Sequence, residues 1–82
     1  MSIEILSIRQ VKAARALLAL SQHDLAKVSG ISYPTIARLE KTDGNLGGRP
    51  ATIAAIRTAL ENAGVEFIAE NGGGAGVRLK KK

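Results

Sequence analysis

The sequence contains no cysteine and no tryptophan, and only one histidine, one tyrosine and one phenylalanine. Without thiols, disulfide staples and thiolate metal sites are excluded, which fits a reducing compartment. A lone histidine, His23, cannot supply the ligand set of a zinc or iron site. Tyr33 and Phe67 are too few rings for the stacking platforms of RNA-recognition sheets or single-strand grooves. The longest apolar run, Ala16 to Leu20, is far short of the ~20 residues that span a bilayer, so no membrane partner is expected. The N-terminus lacks a basic start followed by an apolar stretch, so no export signal is expected either. At 82 residues the chain has room for one domain and a short appendage, burying roughly 60% of its unfolded surface. Its core must be economical or shared with a second copy.

Catalytic chemistry is also missing. Asp24 follows His23, but neighbours on a helix point about 100° apart, so no relay forms. No Ser–His–acid or paired-carboxylate arrangement occurs, and no enzyme activity is expected. Gly72-Gly73-Gly74-Ala75-Gly76 has the composition of a phosphate-cradling loop, yet VRLKKK follows it instead of a helix. No cofactor and no metal are expected.

What is present in excess is positive charge: twelve Lys and Arg against seven Asp and Glu, a net +5. Between Arg9 and Arg57 eight basic residues face three acidic ones, so the excess belongs to the body of the domain. Lys80-Lys81-Lys82, more often a solvated tail than a contact, ends the chain. A small basic domain suits a polyanion, nucleic acid first and an anionic membrane surface second, and with few rings available duplex DNA is the favoured nucleic acid.

Thirteen alanines and nine leucines favour helix. Val11, Ala14 and Leu18 fall on one helical face, as do Ile53, Ile56, Leu60 and Ala63. Ser7, Ser21 and Ser32 each have the chemistry of an N-cap. Each is flanked by an apolar pair that forms a hydrophobic staple: Leu6 with Val11, Leu20 with Leu25, Ile31 with Ile36. Gln10 completes a capping box with Ser7. These signals predict helices over about 8–19, 22–29 and 33–41, with Gly30 as the left-handed end of the second and Pro34 tolerated in the first turn of the third. The stretch from Thr42 to Pro50 reads as loop and about 51–63 as a fourth helix, ending at Gly64. Beyond it, 65–69 and 77–80 read as a β-hairpin or strand-turn-strand tail. A short strand at Ile3 and Ile5 is an alternative to a frayed lead-in.

The segment from Ser21 to Lys41 has the plan of a helix-turn-helix: a small residue at the helix crossing (Ala26), a glycine corner (Gly30), and Ile36 and Leu39 turned inward. At Arg15, Ser21-Gln22, Leu25-Ala26, Gly30, Ile36 and Leu39-Glu40 the sequence resembles the lambda-repressor-like (Xre or Cro/repressor-type) helix-turn-helix family. The resemblance spans most of residues 7–63. AGVEFI followed by GVRL looks like an extension found on some small bacterial members. The expected fold is mainly α: a four- to five-helix domain over 1–63, with the helix-turn-helix unit at about 21–41. A β-hairpin or strand extension with a basic tail occupies 64–82.

The resemblance implies roles for particular residues. Gln22 occupies a position that meets a DNA phosphate. Tyr33, Pro34 and Arg38 occupy positions that read base edges. Arg38 can bond guanine O6 and N7 bidentately, with a phosphate or solvent contact as the alternative. Pro34 donates nothing and can offer only apolar contact, so part of the specificity is expected from DNA shape. Thr35, Lys41, Arg49 and Thr52 are the further phosphate candidates; the alternative for the loop is a flexible surface segment. Arg15 and Glu40 match a buried structural salt bridge. The expected function is a duplex-DNA-binding transcriptional regulator, a homodimeric repressor on an inverted-repeat operator, cytoplasmic and on the nucleoid when bound. Val65, Phe67, Ile68, Val77 and Leu79 are the candidate dimer contacts, through strand pairing or hairpin exchange. An antitoxin that binds a toxin protein and represses its own operon is the alternative.

Overall fold

The computed structural model describes residues 6–81; the strand considered at Ile3 and Ile5, and Lys82, lie outside them. Four helices are followed by a hairpin: α1 Ile8–Leu18, α2 Gln22–Ser29, α3 Tyr33–Glu40, α4 Pro50–Ala63, β1 Val65–Ile68 and β2 Gly76–Leu79.

Each of the first three helices begins as its serine dictates. The hydroxyls of Ser7, Ser21 and Ser32 accept from the backbone N–H groups of Gln10, Asp24 and Thr35. Asp24 answers Ser21 as Gln10 answers Ser7, so α2 also carries a capping box. The staple residues Leu6, Val11, Leu25 and Ile36 are buried, with Leu20 and Ile31 packed against them. The boundaries differ from expectation only at the ends. The first helix stops at Leu18 because Ala19 turns left-handed, at φ 57°. Gly30 makes the corresponding turn after α2 at φ 74°, where a Cβ would cost ~1–2 kcal/mol.

One core unites the helices and the hairpin. Ile8, Leu25, Ile36, Ile56, Leu60, Val11 and Val65 are fully buried within it. The strands pair antiparallel within the chain, Val65 opposite Leu79 and Phe67 opposite Val77. This corrects part of the expected dimer surface. Val65 and Phe67 point into their own chain's core, and Arg57 lies 5.4 Å from the centre of the Phe67 ring. Ile68 and Val77 are half-buried, whereas Leu79 is 52% exposed. A two-stranded hairpin alone is marginal in water; here its inward face completes the helical core.

Gln10 makes the join. It is buried, its Oε1 accepts from the Ser7 N–H at 2.9 Å, and its Nε2 donates to the carbonyls of Gly76 at 2.9 Å and Ile68 at 3.4 Å. One side chain therefore caps α1 and holds the end of the strand pair. Replacing it removes the donor to the half-buried carbonyls of Ile68 and Gly76 and the acceptor for the Ser7 N–H, so Gln10→Ala is expected to cost about 1–3 kcal/mol, read as a lower thermal midpoint.

The segment after α3 is pinned as well. Ile8 N–H donates to Gly44 O and Leu46 N–H to Leu6 O, both at 2.8 Å, and Leu46 is buried. Arg9 bonds both carboxylate oxygens of Asp43 across the surface. This segment is an anchored strap between α3 and α4.

Candidate nucleic-acid interface

The turn at Gly30 sets α3 against α2 so that Ile36 and Glu40 are buried while Pro34, Arg38 and Lys41 stay exposed. Those three, at i, i+4 and i+7, form one stripe along the outside of α3. Tyr33, at the head of the helix, is 39% exposed.

The helix is held in place from behind. Arg15 Nε donates to Glu40 Oε2 at 2.8 Å and Arg15 Nη2 to Glu40 Oε1 at 2.5 Å; Arg15 Nη1 also reaches Leu20 O at 3.0 Å. The Glu40 side chain is 4% exposed and that of Arg15 20%. Burial pushes the Glu40 carboxyl up, but hydrogen bonds from Arg15 and Gln22 and the charges of Arg15 and Lys12 outweigh it, leaving it below the ordinary carboxylate range. The Arg15 guanidinium is correspondingly raised, chiefly by its hydrogen bond to Glu40. α1 thereby grips the C-terminal end of α3.

Gln22 belongs to this cluster, which the sequence did not reveal. Its Nε2 donates to Glu40 Oε1 at 3.1 Å, so in the free chain part of its donor capacity serves a carboxylate. Beside it, Asp24 accepts from the Ser21 N–H at 3.0 Å and is held below its ordinary range by Ser21. That anion opposes a phosphate at the start of α2. The start of α4 is the opposite case. Arg49 is its N-cap with no side-chain cap bond, Pro50 opens the helix, and the first turn carries no acid. Its free N–H groups and positive dipole end face outward, an arrangement suited to an anion.

The expected contacts thus separate spatially. Thr35, Arg38, Arg49 and Thr52, with Leu39 and Gly48, line one cleft of about 330 Å³ between α3 and the head of α4. Thr35 is half-buried and its hydroxyl accepts from Ser32 Oγ at 2.9 Å. Lys41, the C-cap of α3, lies off this cleft. Tyr33 is paired with His23, for which the sequence offers no role: the two rings stack with centroids 3.9 Å apart and planes 6° from parallel.

The arginines divide sharply. Arg9, Arg15, Arg57 and Arg78 pair with Asp43, Glu40, Glu61 and Glu66. Arg38 and Arg49 have no acidic partner among the described residues, and both line the cleft. The glycine loop offers no rival site, because the N–H groups of Gly72 and Gly74 already donate to Glu70 Oε1 at 2.7 and 2.9 Å. Among the described residues no helix is long and apolar enough to cross a membrane, and no group of three or more His, Cys, Asp or Glu could hold a metal ion.

The helix-turn-helix family profile matches residues 11–48, from α1 through α3 to the strap. No curated protein matches the chain. The profile coincides with the exposed helix, its glycine corner and its buried Arg15–Glu40 brace, so residues 11–48 form a helix-turn-helix segment similar to that of the lambda-repressor-like (Xre) family of DNA-binding transcription regulators.

Proposed function

We propose that the chain is a sequence-specific regulator of duplex DNA, a homodimeric repressor that occupies an inverted-repeat operator. α3 enters the major groove, Tyr33, Pro34 and Arg38 meet base edges, and the cleft between α3 and α4 receives a backbone phosphate. The observation that carries this reading is the pairing pattern of the arginines: Arg38 and Arg49 are left without an acid and share one cleft at the exposed helix. A phosphate there would meet Arg49, the Thr52 hydroxyl and the open N–H groups of α4, while Arg38 reaches the bases. Gln22 and Lys41 flank this contact at the start of α2 and the end of α3.

A domain with one reading helix covers few base pairs, so two copies supply the specificity, on half-sites ~34 Å apart or a multiple of it. The dimer contact is assigned to the exposed rim of the 64–82 extension, where Leu79 is open to solvent. The hairpin itself stays closed within each chain.

Selection of bound duplexes from a random pool tests function and symmetry together. The enriched sequences are expected to form an inverted repeat, and Arg38→Ala is expected to lose the preference for guanine at one position per half-site, by about 1–3 kcal/mol. Enrichment of single, unrepeated half-sites would overturn the dimer, and no enrichment at all would overturn sequence-specific binding.

A further inference from the structure

His23 lies in the first turn of α2 and Tyr33 in the first turn of α3. Both are exposed, and their rings stack face to face across the helix-turn-helix at 3.9 Å. An isolated surface tyrosine explores several rotamers and must be ordered when a ligand arrives, which weakens what it contributes to recognition. Here the imidazole covers one face of the phenol before any ligand is present. Backbone freedom is restricted too, because Ser32 caps the helix at the residue before Tyr33 and Pro34 follows it. The phenol's other face and edge remain outside, at the end of α3 from which helix-turn-helix proteins contact base edges.

We propose that His23 is a specificity-determining positioning residue: by stacking on Tyr33 it fixes the phenol ring at the head of α3 and so sets the base preference that Tyr33 imposes. The contact such a ring offers is apolar, and the base edge it suits is the thymine methyl group. His23 acts through Tyr33 and needs no DNA contact of its own. This inference rests on the duplex-DNA reading and adds to it the residue that orients the reader.

The sole tyrosine, in a chain without tryptophan, makes the stack observable without DNA. In the free protein, His23→Ala is expected to abolish the tyrosine's near-ultraviolet circular dichroism, while His23→Phe, which keeps a ring, retains it; helical content stays the same in both. In duplex selection, His23→Ala and Tyr33→Ala are expected to relax preference at the same base pair, by roughly two- to tenfold. The double variant should relax it no further, and His23→Phe should restore it. The guanine preference of Arg38 stays intact throughout. A His23→Ala protein that selects the wild-type sequence overturns the inference alone, as does His23→Phe behaving like His23→Ala. Failure of the wild-type chain to enrich any duplex overturns the DNA reading and the inference together.

Discussion

Arg15→Ala is expected to lower the unfolding free energy by about 4 kcal/mol and Glu40→Ala by about 3 kcal/mol, within the range for breaking a buried pair. The order follows from what each substitution strands. Removing Arg15 leaves a carboxylate that is 4% exposed with the Gln22 amide as its remaining hydrogen-bond donor and the Lys12 charge nearby, whereas removing Glu40 leaves a guanidinium that is 20% exposed and still bonded to Leu20 O. For a domain of this size either loss lowers the thermal midpoint by on the order of 15–25 °C. Acid titration separates the two mechanisms. In the wild-type chain the Glu40 carboxyl lies below its ordinary range, so the unfolded state binds its proton first. Its contribution is complete above the unfolded value of ~4.3 and is lost as pH falls through the folded one. In Arg15→Ala burial dominates and raises the carboxyl, so the sign reverses: the variant gains relative stability as pH falls from above the raised value toward ~4.3. Denaturant unfolding would show the wild-type chain losing stability as pH falls below ~4.3 and the variant gaining it as pH falls toward ~4.3 from above; a variant without that gain would mean that Arg15 does not hold Glu40 ionised. Replacing both residues by apolar ones should recover much of the loss.

The sequence makes legible whatever the chain encodes over four or five residues. Ser7, Ser21 and Ser32 with their staple pairs specify three helix starts because N–H satisfaction and the approach of the chain to a helix are local matters. Gly30 marks its corner for the same reason. Contacts made across the chain were not legible. Gln10 reads as half of a capping box, and nothing nearby announces that its amide nitrogen bonds Gly76, 66 residues away. Leu46 sits in a glycine-rich stretch with the composition of a loop, yet its N–H bonds Leu6 O and the Gly44 carbonyl accepts from Ile8, which straps the stretch onto the core. β-Branched and aromatic composition marks the strand at Val65 and alternation the one at Val77, but neither tells which face another element will cover; Val65 and Phe67 turned inward. At the interface the family resemblance pointed to Arg38, whereas the His23–Tyr33 stack joins two helices across a turn and leaves no periodic trace. The role of α4 was legible only through the resemblance, as the phosphate candidates Arg49 and Thr52. That its first turn lacks both a side-chain cap and an acid emerges from the folded geometry.

Lys41→Ala combined with Arg49→Ala is expected to weaken duplex binding by roughly sixtyfold per protomer at 0.1 M salt and hardly at all at 1 M. Each phosphate neutralised contributes about 0.9 to the slope of log K against log salt, which amounts to roughly eightfold per contact at 0.1 M. Removing both cations should therefore make the slope shallower by about 1.8 per protomer, with the selected sequence unchanged, because phosphate contacts position the protein and do not read bases. Thr52→Val is the informative companion. Its hydroxyl shares the cleft with Arg49 but carries no charge, so its loss should weaken binding by a similar factor at every salt concentration and leave the slope as it was. Fluorescence anisotropy of a labelled operator across a salt series measures both quantities. A double variant with the wild-type slope would remove Lys41 and Arg49 from the phosphate contact. A shallower slope from Thr52→Val would mean that the head of α4 holds its phosphate only through the geometry that Thr52 maintains. The proposed division of labour, α3 for sequence and the α4 cleft for the backbone, requires the charge-linked and charge-independent losses to separate in this way.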